Sequence, residues 1–272
     1  MITLLIFFVS CTTSNYELEG TEYDTNPNSY FKEFYKLVRS DEYYPTHRIE
    51  TKLKYRTDKY AERDSIDFDV NSFFSVLNHL KVRDNYKLDY VYKYYSIGGY
   101  PILYCIKKDY RQLKTVHEFD SLHISTDSFL NFIEVDDSPD SYIQIILLHI
   151  MHNQFLRYWH DFYRDEVLIF NNDGLKDVID NGYYSYTNNY DKTLLNGYNL
   201  KKENLDFYRS SKDINPNVIL KFFEKHVEME VLIFSNWYGF KRIKFRISRI
   251  FPHRIENISK KIILAYNCNI QF

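Results

Sequence analysis

Three histidines, His149, His152 and His160, fall within the very apolar stretch HIMHNQFLRYWH. Imidazole binds metal ions and acts as an acid or base near neutral pH. On a helix, residues three apart are neighbours at roughly 5–6 Å, so His149 and His152 could share one metal ion. His160 would lie about 12 Å further along the helix axis, whereas Zn–N bonds are about 2.0–2.1 Å long. Distance therefore excludes a three-histidine site on one helix.

The remaining pair, His149 and His152, would need ligands from elsewhere, and several other histidines and carboxylates are unranked candidates. The zincin pattern H-E-x-x-H is absent. A metal-dependent hydrolase is one hypothesis. The alternative is structural, because a stripe at about 100° per residue would form a hydrogen-bonded polar seam between the helix and a sheet; it contains Tyr142, His149, Asn153, Leu156 and His160. The sequence favours the structural interpretation.

A second candidate site is the basic stretch FKRIKFRISRIFPHRIENISKK near the C-terminus. On a strand, Arg242, Lys244 and Arg246 share one face, opposite the apolar residues between them, and Arg249 follows. Such a face could bind an anionic glycan or lipid headgroups, or attract an acidic protein partner. It could equally be the solvated outer face of a terminal hairpin, and the sequence favours this second interpretation.

The number and spacing of the glycines exclude the common nucleotide-binding motifs. Only 7 of the 272 residues are glycine, and none of them forms a G-x-G-x-x-G or Walker pattern. Phosphate-binding loops need glycine because the backbone must approach the anion closely. A G-x-S-x-G elbow and the protein-kinase motifs are also absent. The sequence predicts no cofactor, and its net charge of -2 predicts no nucleic-acid partner.

The element that must position the two histidines is a long helix. Ser138 is a plausible N-cap with Pro139 at the first helical position, and the following YIQIILLHIM is apolar nearly all round. This pattern predicts a central buried helix over about 138–164. Three alternating strands from residue 226 to the C-terminus predict a meander, and a hairpin is predicted to turn at Gly98-Gly99. We expect a single α+β domain over 30–272, with the helix packed on antiparallel sheet.

The N-terminus reads MITLLIFFVSCTTSN, in which apolar residues 2–9 precede a small Ser10 and then Cys11. This segment resembles the signal of bacterial lipoproteins, whose lipobox ends in a small residue followed by the lipidated cysteine. The resemblance covers residues 1–11 only. It implies that 1–10 is a signal peptide, that Cys11 carries acyl chains (palmitate among them), and that 11–29 is a flexible polar tether.

From these observations we expect a lipid-anchored protein of the bacterial cell envelope, periplasmic or surface-exposed, that binds or scaffolds and is not an enzyme. If residues 1–10 form a buried strand instead, a cytosolic, immunity-like partner-binding protein follows. Cys105 and Cys268 both occur in strand-like apolar contexts, which favours two buried thiols over a disulfide. The oligomeric state stays open.

Overall fold

The structure is a computed structural model that describes residues 27–38, 68–95, 98–123, 128–159, 166–181, 205–235 and 238–265. Within these ranges the helices are α1 Pro27–Val38, α2 Phe73–Val76, α3 Val116–Ser121, α4 Pro139–Met151, α5 Asn172–Asn181 and α6 Leu205–Ser211. Helix α1 begins inside the predicted tether 11–29. The predicted signal peptide and Cys11 lie outside the described residues.

The strands form three antiparallel sheets. Strands β1 (Leu80–Val82) and β4 (Ile133–Val135) make a two-stranded sheet, and β2 (Tyr86–Tyr95), β3 (Gly98–Lys107) and β5 (Tyr158–Trp159) make a three-stranded one. The largest sheet has the order β10 (Ile255–Ala265), β9 (Gly239–Ser248), β8 (His226–Ser235), β6 (Val167–Ile169). Strand β7 (Ile219–Phe222) also pairs with β8. It pairs with residues 227–230, whereas β6 pairs with residues 232–234.

These elements confirm the predicted α+β class and the predicted C-terminal meander. Strands β8, β9 and β10 pair in succession, with Val231 opposite Ile243 and Ile243 opposite Lys260. The predicted hairpin is also present, because β2 and β3 pair along their full length from Tyr86–Lys107 to Tyr95–Gly98. The predicted turn at Gly98-Gly99 is wrong, since both glycines belong to strand β3 and pair with Tyr95 and Tyr94. The alternation of apolar and polar residues was the signal for the meander, and the Gly98-Gly99 pair between two strand-like runs was the signal for the hairpin.

Helix α4 lies in the middle of the main hydrophobic core, as its all-round apolar sequence predicts. Residues 141–148 and Met151 are buried. The ring of Tyr142 contacts Phe222 of β7 edge-on, and that of His149 contacts Phe245 of β9. The β2–β3 hairpin contributes Tyr90 and other buried residues to the same core. Since these elements surround α4, its ends are the places where polar groups can gather.

The N-terminus of α4 is the predicted one, but its C-terminus is not. The Ser138 hydroxyl caps the helix by accepting from the Ser141 amide (3.2 Å). The helix ends at Met151, and the prediction of a helix to about residue 164 is wrong. Leu156 has a φ of 51°, a left-handed conformation that no α-helix continues through. The predicted seam through Asn153 and Leu156 is therefore not one helical stripe, and His160 lies outside the described residues.

Candidate functional site

A cleft of about 280 Å³ opens where the C-terminal end of α4 faces the core side of β9 and β10. Helix α4 and the turn after it supply one wall, and the strands supply the other. Most of its lining residues are polar or charged, although it borders the hydrophobic core. They include His149, His152, Asn153, Glu166, Lys241 and Lys260. The alternation of β9 directs Lys241, Ile243 and Phe245 to the same face, which places a lysine in the apolar row.

Lys241 is only 1% exposed, which is unusual for a lysine. Its Nζ donates to Glu166 Oε1 at 2.8 Å and lies 4.0 Å from the centre of the Tyr238 ring. The Tyr238 hydroxyl donates to the same Glu166 oxygen. Burial raises the pKa of Tyr238, and the Glu166 carboxylate adds to the effect, so the phenol stays protonated. Glu166 thus accepts hydrogen bonds from both a cation and a phenol.

Lys260 is the second lysine of the cleft. It lies opposite Ile243 on β10, while Ile262 lies opposite Lys241, so the two lysines are diagonal neighbours on one face. Burial lowers the pKa of Lys241, and although Glu166 opposes this, the positive charge of Lys260 lowers it further. Among the described residues, no carboxylate lies within ion-pair distance of Lys260. Of the two lysines, only Lys241 is therefore paired with a described carboxylate.

The two predicted histidines do meet at this cleft. His152 Nδ1 donates to the carbonyl oxygen of His149 (2.8 Å), and its ring packs on Phe129 with the centroids 4.8 Å apart. Both contacts hold His152 in place at the end of the helix. In the part of the chain that the structure describes, there is no cluster of three or more histidines, cysteines or acids that could hold a metal ion.

The turn that follows α4 lines the cleft through Asn153 and Arg157. Gln154 Nε2 donates to the carbonyl oxygen of Glu166 (2.8 Å), which ties this turn to the start of β6. The Arg157 guanidinium donates to Asn153 twice, from Nε to the carbonyl oxygen (2.9 Å) and from Nη2 to Oδ1 (2.6 Å). This early end of the helix, which the sequence did not reveal, is what leaves room for the cleft.

The candidate anion-binding face lies on the other side of β9, where its three β9 cations have carboxylate partners. Glu228 of β8 accepts from Lys244 (2.6 Å) and from Arg246 (2.9 Å), and Arg242 lies 3.5 Å from Glu230. The Lys244 ammonium lowers the pKa of Glu228; burial opposes this, and Arg246 adds to it. The acids that neutralise this face are contributed by β8, because the register places Glu228 opposite Arg246 and Glu230 opposite Lys244.

Arg249, the last residue of the candidate anion-binding face, joins the end of β9 to the start of α4. It donates to both oxygens of Asp137, at 2.9 Å and 2.5 Å, and to the carbonyl oxygen of Phe223 (2.9 Å). The Tyr142 hydroxyl also donates to Asp137. The Arg249 guanidinium lowers the pKa of Asp137, so the carboxylate stays ionised. This arrangement is a structural clamp, with the planar fork of the guanidinium matched to one carboxylate.

Ser138, His79 and Asp136 have the residue types of an acyl-transfer triad, but their geometry is different. His79 Nδ1 lies 2.6 Å from Asp136 and 3.3 Å from Ser138 Oγ, so one nitrogen faces both partners. A triad needs the serine and the acid on opposite ring nitrogens. Burial opposes ionisation of Asp136, but hydrogen bonds from Ser138 and His79 lower its pKa to about 2. The cluster caps α4 and is not a nucleophilic site.

Cys105, which was predicted to be a buried thiol, is buried and free, and burial raises its pKa to about 12. Its Sγ lies 3.7 Å from the Phe129 carbonyl oxygen. Cys268 lies outside the described residues. Of the helices described, none has the length and apolar character needed to cross a membrane. In comparisons with protein-family models, curated proteins and solved structures, no match to this chain was found.

Proposed function

We propose that the protein is a lipid-anchored protein of the bacterial cell envelope whose domain binds a small ligand in the cleft between α4, β9 and β10. The cleft is the observation that supports binding. The other polar clusters near α4 are closed on themselves: Ser138 caps a helix, and Arg249 is held by Asp137. In the cleft, by contrast, charged side chains line a space that can admit a ligand.

The proposed anchor depends on the sequence around Cys11. Residues 2–9 are apolar, Ser10 is small, and no Lys or Arg occurs between Cys11 and residue 30. Each buried CH₂ group of an acyl chain contributes about 0.8 kcal/mol, and one chain alone binds a membrane only marginally. The several chains of a bacterial lipoprotein would hold this protein at a membrane while the domain binds its ligand.

The anchor is tested by metabolic labelling with palmitate in the bacterium that makes the protein. We expect label in the wild type and none in Cys11→Ser, with loss of residues 1–10 detected by mass spectrometry in the wild type only. Cys105→Ser is the matched control and should label like the wild type. An unlabelled wild type that retains Met1 would contradict the proposal, and would favour a cytosolic partner-binding protein instead.

The second candidate is a metal-dependent hydrolase, favoured by the presence of His149 and His152 in the same cleft. Elemental analysis of the purified protein separates the two functions, because a catalytic metal co-purifies at close to one equivalent. We expect Zn, Mn and Fe each below about one tenth of an equivalent. A stoichiometric metal that is lost in the variant His149→Ala would contradict a purely binding role.

A further inference from the structure

We propose that the ligand of the cleft carries a phosphate group, which binds between the ammonium groups of Lys241 and Lys260. This inference rests on the proposed function, in which the cleft is the binding site. It assigns the anion to the core side of β9 and β10, and not to the outer face, which the sequence offered as one candidate anion-binding face.

The charge balance of the cleft supports an anionic ligand. Of its described lining residues, Glu166 is the only carboxylate, whereas Lys241 and Lys260 both contribute an ammonium group. Glu166 is already shared between Lys241 and Tyr238 through the same oxygen, Oε1. No described carboxylate pairs with Lys260. An anion placed between the two lysines would neutralise the surplus charge and relieve their mutual repulsion.

Burial of Lys241 strengthens this argument. A lysine that is 1% exposed loses most of its hydration, and a buried ion pair often stabilises a protein less than apolar residues of the same size would. The apolar row of β9 could have continued from Ile243 with another aliphatic residue. A lysine at this position therefore makes the free energy of folding less favourable than an aliphatic residue would. A ligand that needs the lysine charge accounts for its presence.

The donors favour a phosphate over a planar carboxylate. Lysine ammonium groups act as point charges with three rotatable donors, and they suit a tetrahedral anion. The planar fork of Arg157, which would suit a carboxylate, donates to Asn153 through two of its nitrogens. The volume of about 280 Å³ fits a phosphate with a small polar group attached, for which Asn153 and Asn257 line the walls.

The test uses isothermal titration calorimetry on the full chain in detergent, with inorganic phosphate and glycerol 3-phosphate as probes. We expect saturable binding that is weakened about tenfold or more in Lys260→Gln, the effect of losing a hydrogen bond between charged groups. The matched control is Lys261→Gln. Lys261 is the next residue of the same exposed strand, but it faces the outer side, opposite Arg242. The Lys261→Gln variant should bind both phosphate probes like the wild type.

A second arm distinguishes a free phosphate from a lipid headgroup. Phosphatidylglycerol vesicles are sedimented with the full-length Cys11→Ser chain, which lacks the proposed anchor, and with the same chain carrying Lys260→Gln or Lys261→Gln. Vesicle binding that only Lys260→Gln reduces would assign the phosphate to a headgroup and support the site. Vesicle binding reduced equally by both variants reflects net charge and contradicts it.

The inference is overturned if neither the soluble phosphates nor the vesicles bind with a specific dependence on Lys260. The proposed function has its own readout, a thermal-shift screen of uncharged small molecules against the wild type and Asn257→Trp, in which the indole fills the cleft. Stabilising compounds whose effect disappears in Asn257→Trp would preserve the binding cleft while the phosphate assignment fails. Circular dichroism of each variant verifies that it is folded.

Discussion

The two faces of the β9–β10 pair both carry positive charge, but they use it differently. On the outer face, the Arg242, Lys244 and Arg246 side chains all have carboxylates of β8 within ion-pair distance. On the inner face, Lys241 shares Glu166 with a tyrosine, and its neighbour Lys260 has no described carboxylate partner. Cations that pair with carboxylates of the neighbouring strand stabilise a sheet, whereas a lysine that lines a cleft and has no described carboxylate partner is available to a ligand.

This comparison shows why the density of positive charge misdirects a search for a site. The eight Lys and Arg residues from Lys241 to Lys261 stand out in the sequence because only Glu256 lies among them. Glu228 and Glu230, which neutralise the outer-face cations of β9, belong to a different strand, and only the register of β8 and β9 brings them together. An outer-face site for an anionic glycan or acidic protein stays a prediction, but its ligand would have to compete with these ion pairs.

The largest expected effect on folding comes from removing the carboxylate that neutralises the outer face. Glu228→Gln leaves Lys244 and Arg246 without their partner, and we expect the free energy of unfolding to fall by about 1–2 kcal/mol, since these are charged hydrogen bonds discounted for partial exposure. The measurement is urea denaturation at pH 7. Glu256→Gln makes the same change of charge on the exposed strand β10, and it should lower the free energy of unfolding by less than about 0.5 kcal/mol. If both variants lost the same free energy of unfolding, the stabilising role of the Glu228 ion pairs would be contradicted.

The pH dependence sharpens this prediction. Because the pKa of Glu228 is lowered in the folded protein, its contribution to stability is present above its unfolded pKa of about 4.3 and is lost as the pH falls through the folded pKa. The difference in stability between the wild type and Glu228→Gln should therefore shrink steadily as the pH is lowered from about 5. A difference that is constant with pH would mean that the carboxylate charge has no part in it.

The smallest effect on folding is expected at the inner face. In the double variant Lys241→Met/Glu166→Gln, both charges of a buried pair are replaced together, and such replacements are often neutral or stabilising. We expect its free energy of unfolding to lie within about 1 kcal/mol of the wild type or above it, while phosphate binding is lost. A loss of more than about 3 kcal/mol would show that the Lys241–Glu166 pair stabilises the fold. The burial of Lys241 would then no longer support a ligand in the cleft.

Much of the fold follows from short-range sequence signals. The N-cap Ser138 with Pro139 predicted where α4 begins, and the alternation from residue 226 predicted three strands. The end of α4 was missed because no glycine or proline marks it; the chain leaves the helix at Met151, and Leu156 takes up a left-handed conformation. Leucine gives no sequence signal for that conformation, since it rarely adopts it.

The candidate site was only half predictable. His149 and His152 were selected from their spacing, and they do line the cleft. Lys241 carried a local signal that went unused, because its position in the alternation places it on the same face as Ile243 and Phe245. Glu166 and Lys260 could not be added from the sequence. Glu166 directly precedes β6, which pairs with the distant strand β8. Lys260 faces the cleft because of the register of β10 on β9, which shifts between Asn257 and Ser259.

The most direct test of the central claim is a crystal structure of the protein soaked in tungstate, a tetrahedral oxyanion that is located by its anomalous scattering. The account predicts an anomalous peak in the cleft, within hydrogen-bond distance of the ammonium groups of Lys241 and Lys260. A peak found only on the outer face of β9, beside Arg242 or Lys244, or no ordered peak in a fully soaked crystal, would contradict it.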